Sequence, residues 1–138
     1  MQLTAFTDIS LRTLMYLQAH PGTVFNVKQI AEYYDVSRHH LVKVVHRLSQ
    51  LGYIETTKGK GGGMKIADYA GELRLGDLIK SFEPNMNTVE CFDPNTNRCI
   101  LDGSCSLKHY LRSATDVFIE SLNEHTLADC INRNIFSS

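Results

Sequence analysis

Three of the four cysteines, Cys91, Cys99 and Cys105, fall within the stretch ECFDPNTNRCILDGSC at residues 90–105, among the turn-forming Pro94, Asn95, Asn97, Asp102 and Gly103. Thiolates so crowded in a polar loop are metal ligands or redox partners. Their spacing, Cys91-x7-Cys99-x5-Cys105, contains no CxxC pair, the knuckle that zinc ribbons and low-pKa dithiols share, whereas wide spacing suits thiolates reaching separate irons of an iron–sulfur cluster. Cys130 stands apart and reads as a small buried hydrophobe. Three thiolates leave a closed site one ligand short. His109, four residues after Cys105, would face the same side of a helix start and complete a Cys3His zinc or cluster site. The carboxylate of Asp8 competes with it, distant in sequence but brought within reach if a dimer sets one subunit's first helix against the other's loop. Spacing alone favours His109.

A second group of side chains is suited to phosphates and base edges. In RHHLVKVVHRLSQLGY, residues 38–53, Leu41, Val44, Val45, Leu48 and Leu51 form the apolar face of a helix, and Arg38, His39, His40, Lys43, His46, Arg47 and Gln50 form the opposite face with no acid among them. Ser37 is a fitting N-cap and Gly52 a fitting stop. A shorter helix and turn, NVKQIAEYYDVS at 26–37, precede it and carry Lys28. Helix, turn and basic helix make a helix-turn-helix whose second helix enters the major groove. The next stretch, YIETTKGKGGGMKIAD at 53–68, reads as strand, glycine tip and strand with Lys58, Lys60 and Lys65 around the glycines. Such a wing, with Gly61 and Gly62 permitting close backbone approach, lies along phosphates or in a minor groove. A nucleotide-binding P-loop would need its glycines to open a helix, and here they run into a strand pattern.

The elements that must position both groups follow from apolar periodicity. DISLRTLMYLQA, residues 8–19, reads as a buried helix capped by Asp8 and ended by Pro21-Gly22; LRLGDLIKSFE at 73–83 reads as another. Residues 105–125 read as a long helix with a stripe of Leu107, Tyr110, Leu111, Ala114, Val117, Phe118 and Leu122. A stripe of that length needs a partner, and a second copy of the chain is the expected one. Thr126 and Asp129 suggest a capping box opening a last short helix. The expected fold class is therefore mainly α with a small β-hairpin: a winged helix-turn-helix domain at 1–83, a cysteine-rich loop at 84–104, and a dimerisation helix with C-terminal segment at 105–138.

At 138 residues the chain can bury a core without disulfides. No apolar run approaches the ~20 residues of a spanning helix, and the start lacks a basic segment followed by an apolar one, so a cytoplasmic location is expected. There, reducing conditions favour metal or redox use of clustered cysteines. The net charge of −1 conceals an asymmetry: residues 1–66 carry eight Lys/Arg against four Asp/Glu, a balance of +4, and residues 67–138 carry six against eleven, a balance of −5. Nucleic acid is the natural acidic partner of the first half.

The runs LTAFTDISLRTLMYL, NVKQIAEYYDVSRHHLVKVVHRLSQLGYIETTKGKGGGMKIA and ECFDPNTNRC with SCSLKHYL together resemble the iron–sulfur winged-helix repressors, over nearly the whole chain. The resemblance is greatest to the nitric-oxide-sensing members. It implies a homodimer that binds double-stranded DNA at an inverted repeat, holds a [4Fe-4S] or [2Fe-2S] cluster, and has no enzyme activity. It also implies that Cys91, Cys99 and Cys105 are ligands and that Asp8 of the other subunit is the fourth. Cluster-assembly regulators of the family place a histidine three residues after the last cysteine; that position here is Lys108. The first gap is seven residues where many members have five. Two rival readings use the same cysteines: a zinc-stabilised or thiol-redox regulator, and, from another class, an iron–sulfur cluster carrier.

Overall fold

The computed structural model describes residues 1–132 and 134–136. Five helices and one hairpin follow in order: α1 (Ala5–Gln18), α2 (Val27–Tyr34), α3 (Arg38–Gln50), β1 (Ile54–Thr57), β2 (Gly63–Ile66), α4 (Leu75–Phe82) and α5 (Ser106–Leu122). The mainly helical class with one antiparallel hairpin is as expected. Among the described residues no helix is long and apolar enough to cross a membrane.

α1 starts three residues earlier than its apolar pattern suggested. Thr4, not Asp8, is the N-cap, with its hydroxyl accepting from the Thr7 amide at 3.2 Å. The Thr4 amide and hydroxyl both donate to Glu83, tying this end to the close of α4. Asp8 lies one turn in, where a carboxylate still complements the helix dipole. α1 runs through the core with Leu14 and Leu17 fully buried, while the equally buried Ser10 and Thr13 hydroxyls donate to carbonyls one turn back.

The capping box of Asn26 and Gln29 starts α2, and Asp35 ends it at φ +52°, a left-handed position that Asp tolerates. Ser37 caps α3 as expected. Leu41, Val44 and Leu48 of α3 are buried against α1, with Val45 and Leu51 packed at the edge of the same core. The hairpin pairs Ile54 with Ile66 and Thr57 with Gly63, and Phe25 adds a bridge to Met64. A Cβ on Gly63 would lie 2.3 Å from the Phe25 carbonyl oxygen, so this three-way junction depends on glycine.

α5 is anchored at its C-terminal end. Its Ile119 is buried, a contact the expected stripe did not include, and Gly76 of α4 lets the two helices meet. Asn123 accepts from the Asp77 amide and donates to the Asp77 carboxylate. Beyond the helix, Leu127 enters the core as its amide donates to Leu73 at 2.8 Å. The Thr126–Asp129 capping box forms, but it opens only a single 3-10 turn, Ala128–Cys130. Along the stripe Leu107, Tyr110 and Val117 remain 58–70% exposed. Leu127→Ala would leave a cavity in a fully buried position and is expected to cost about 2–5 kcal/mol, measured by urea denaturation.

Candidate metal centre and nucleic-acid interface

The cysteine loop is held by carboxylates and amides. Cys91 sits in a 3-10 turn, Glu90–Phe92, whose Phe92 is nearly buried beneath the Arg112 guanidinium, 4.3 Å from the ring centroid. That cation–π contact fastens the turn to α5. The Glu90 carboxylate accepts the Arg98 amide at 2.7 Å, drawing the Cys91 turn against the Cys99 segment. The Asn97 side chain accepts the Cys99 amide at 2.9 Å and donates to Asp102. Asp102 also receives Lys108 of α5 and the Gly103 amide. These donors, Lys108 foremost, hold its carboxyl below the usual carboxylate range. Gly103, at φ +97°, turns the chain into Cys105, the N-cap residue of α5.

In consequence all three thiols line one hollow of about 450 Å³, shared with Leu101, Leu107 and Leu111 and with Lys108. All four cysteines are free thiols. Among the described residues no three His, Cys, Asp or Glu side chains are gathered as a single-ion site. Three soft donors on separate segments, opening into one mainly apolar hollow, fit a multi-iron group. His109 is exposed on α5 and does not line the hollow; its neighbour Lys108 does. Asp8 also lies outside it, half exposed and gripped by Arg12 through Nη2–Oδ2 at 2.7 Å and Nε–Oδ1 at 3.1 Å. Within one chain neither candidate fourth ligand joins the three thiols. Cys130 lies elsewhere, its thiol 3.8 Å from the Thr126 carbonyl oxygen and pushed up in pKa by burial and then by Asp129.

The second group forms a basic surface. On α3, Arg38, His39, Lys43, His46 and Arg47 are exposed and His40 is half-buried. The Ser37 hydroxyl accepts the His40 amide at 3.3 Å and keeps its proton free to donate. Arg47 donates to the Ser81 carbonyl at 3.4 Å, which turns its guanidinium toward α4. One acid that the α3 sequence did not reveal faces this surface: Glu32 of α2 lies 3.9 Å from both Lys28 and Arg38. Val42, one turn from Arg38 and from His46, is an exposed apolar side chain on the same face, and only the placement of the face around it makes it notable.

At the wing, Lys58 and Lys60 are exposed and, among the described residues, have no acid partner, whereas Lys65 pairs with Glu55 across the hairpin at 3.3 Å. Gly61 has φ +78°, and a Cβ on Gly62 would lie 2.2 Å from the Thr57 carbonyl oxygen. The tip therefore presents backbone and two lysines. Behind α2, Tyr34 donates to the Arg12 carbonyl at 2.8 Å, and burial pushes its phenol pKa well up, so it remains a donor. The residue that grips Asp8 is thereby joined to the helix-turn-helix.

Comparison with known proteins bears on both groups. The Rrf2 family, described as iron-dependent transcriptional regulators, matches residues 3–133. The chain is 44% identical over 132 residues to the HTH-type transcriptional regulator NsrR of Bacillus subtilis, covering 95% of this chain and 90% of that protein. It is 43% identical to the NsrR of Shouchella clausii, covering 95% and 89%. Among solved structures, T. potens IscR superposes with a TM-score of 0.72 at 22% identity, covering 94% of this chain and 85% of that one. CymR, the global cysteine regulator of B. subtilis, superposes with a TM-score of 0.74 at 22% identity, covering 96% and 99%.

Because only the thiolate is alkylated, the raised pKa of Cys130 delays its reaction to higher pH than for an ordinary thiol. Iodoacetamide labelling followed by peptide mass spectrometry is expected to show Cys130 modified slowly in the native chain near pH 8 and faster after denaturation.

Proposed function

The chain belongs to the Rrf2 family of transcriptional regulators, and from that footing we propose a homodimeric repressor that binds an inverted-repeat operator while an iron–sulfur cluster is intact and releases it on exposure to nitric oxide. The observation that carries this reading is the meeting of three thiols from three segments in one hollow at the head of α5, in a chain that also presents a basic recognition helix and wing.

Cys91, Cys99 and Cys105 would hold the cluster, and Asp8 from the other subunit would complete it. When bound, the group offers an iron whose oxygen ligand is harder and more readily displaced than sulfur, open to a small diatomic molecule. Displaced, Asp8 retains the Arg12 ion pair seen here, so its release leaves no isolated charge. The link from Arg12 to Tyr34 then connects the ligand's helix with α2. Leu107, Tyr110 and Val117, exposed along α5, supply the face on which two copies associate.

On DNA, the first turns of α3 enter the major groove, so that Ser37, Arg38, His39, His40 and Lys43 reach base edges and phosphates. Val42 is placed for a thymine methyl. Lys28 and Arg47 flank the groove, while Lys58, Lys60, Gly61 and Gly62 follow the backbone.

Two mutations separate these roles. Lys60→Ala is expected to weaken binding to every sequence and reduce the salt slope by about 0.9. Arg38→Ala is expected to reduce discrimination between operator and random DNA by about 1–3 kcal/mol. Anaerobic fluorescence anisotropy, with a site selected by the protein from a random pool, reads both. Cys99→Ser or nitric oxide treatment is expected to weaken operator binding at least tenfold, ~1.4 kcal/mol, with the dimer retained in size-exclusion chromatography. Equal affinity of loaded, cluster-free and nitric-oxide-treated protein would remove the sensor.

A further inference from the structure

We propose that Lys108 and Asp102 form a positioning clasp that presets the thiols of Cys99 and Cys105 and tunes the charge beside the group they hold, an inference that rests on the cluster-binding reading above. Lys108 lines the hollow beside the three cysteines, yet a protonated amine has no lone pair and cannot be a ligand. Its ammonium is instead paired with Asp102. With side chains 24% and 33% exposed, this is the least exposed ion pair among the described residues. The other four lie between 40% and 63%, where solvent screens most of their attraction.

The pair also does not stand alone. Asp102 receives Asn97, and Asn97 in turn accepts the Cys99 amide, so an unbroken path of hydrogen bonds runs from α5, one turn after Cys105, to the backbone of Cys99. The path encloses the whole segment between the two cysteines and is made by protein groups alone. Groups that orient metal ligands in this manner commonly change metal affinity 10–100-fold when removed. A second consequence is electrostatic. Lys108 places a positive charge beside three thiolates, and Asp102 tempers it, so removing either partner breaks the link to α5 while the two removals change the charge in opposite directions.

The test uses the full chain, reconstituted anaerobically with iron and sulfide, and follows loss of visible absorbance to a ferrous chelator. Lys108→Met and Asp102→Asn are each expected to lose iron at least about tenfold faster than the parent. The double variant is expected to be no faster than the worse single one, because both remove one interaction. Lys108→Arg, which keeps the charge, is expected to stay within about twofold of the parent. The reduction potential is expected to fall in Lys108→Met and to rise in Asp102→Asn, a divergence that loosening alone does not produce. Parental iron-loss rates in both single variants, additive effects in the double, or potentials shifted the same way would overturn the clasp. Amide hydrogen exchange at Cys99 in metal-free protein is expected to quicken in Asp102→Asn. If the parent takes up no iron while that exchange still quickens, the cluster-binding reading fails and the clasp geometry stands; parental exchange in a parent that does take up iron overturns the clasp alone.

Discussion

The close approach of α5 to α4 at Gly76 is the contact on which the rest of the arrangement depends. A Cβ there would lie 2.5 Å from both the Ile119 carbonyl oxygen and Asn123 Oδ1, so only glycine allows the Asp77–Asn123 hydrogen bonds and the burial of Ile119 together. With that end of α5 fixed, and Leu127 drawn into the core beyond it, the direction of the helix is settled. Its other end carries Cys105 at the N-cap, and its exposed side carries Leu107, Tyr110 and Val117. One glycine contact thus decides both where the third thiol lies and which way the unpartnered apolar side chains point.

α1 has a corresponding double role. It is the spine of the core through Leu14 and Leu17, and its surface carries Asp8, Arg12 and the carbonyl that accepts Tyr34. A ligand shifts a two-state equilibrium only by the difference in its affinity for the two states. A bond to Asp8 from another subunit, as proposed above, would meet that requirement, since it would exist at only one relative position of two winged domains. The burial of α1 in the core is what would make such a bond informative. A carboxylate on a mobile tail would follow the other subunit's loop without moving α2 or α3.

What could be read beforehand divides along the line between local and long-range physics. The cap of α3, the presence of the hairpin and the Thr126–Asp129 box depend on residues a few positions apart, and periodicity with turn chemistry locates them. The three cysteines were visible as a group for the same reason. Thr4 caps α1 through a local bond to Thr7, but Glu83, which also holds it, lies 79 residues away and no local pattern shows it. Ile119 falls outside the apolar stripe of α5 because a seven-residue seam and a monomer-facing contact share one helix, and only the position of α4 tells them apart. His109 looked the better ligand by spacing, but the hollow faces Lys108, and a hollow is defined by three segments at once. Glu32 and Lys65 show the same limit for charge: the excess of cations is countable, whereas their pairing is not.

That pairing bears on how the basic surface works. Glu32 sits 3.9 Å from Lys28 and from Arg38, with all three side chains at least 60% exposed. Pairs so open to solvent contribute about 0–1 kcal/mol and are screened further by salt. Breaking them would cost little on arrival of a phosphate, yet while they persist they hold Lys28 and Arg38 near the start of α3. The acid also repels phosphate, so it penalises any docking in which the backbone passes over α2 instead of beside α3. On the docking proposed above, a single carboxylate on the scaffold helix would therefore sharpen register without reading a base, while Lys58 and Lys60 on the wing, free of such partners among the described residues, would supply attraction that is indifferent to sequence.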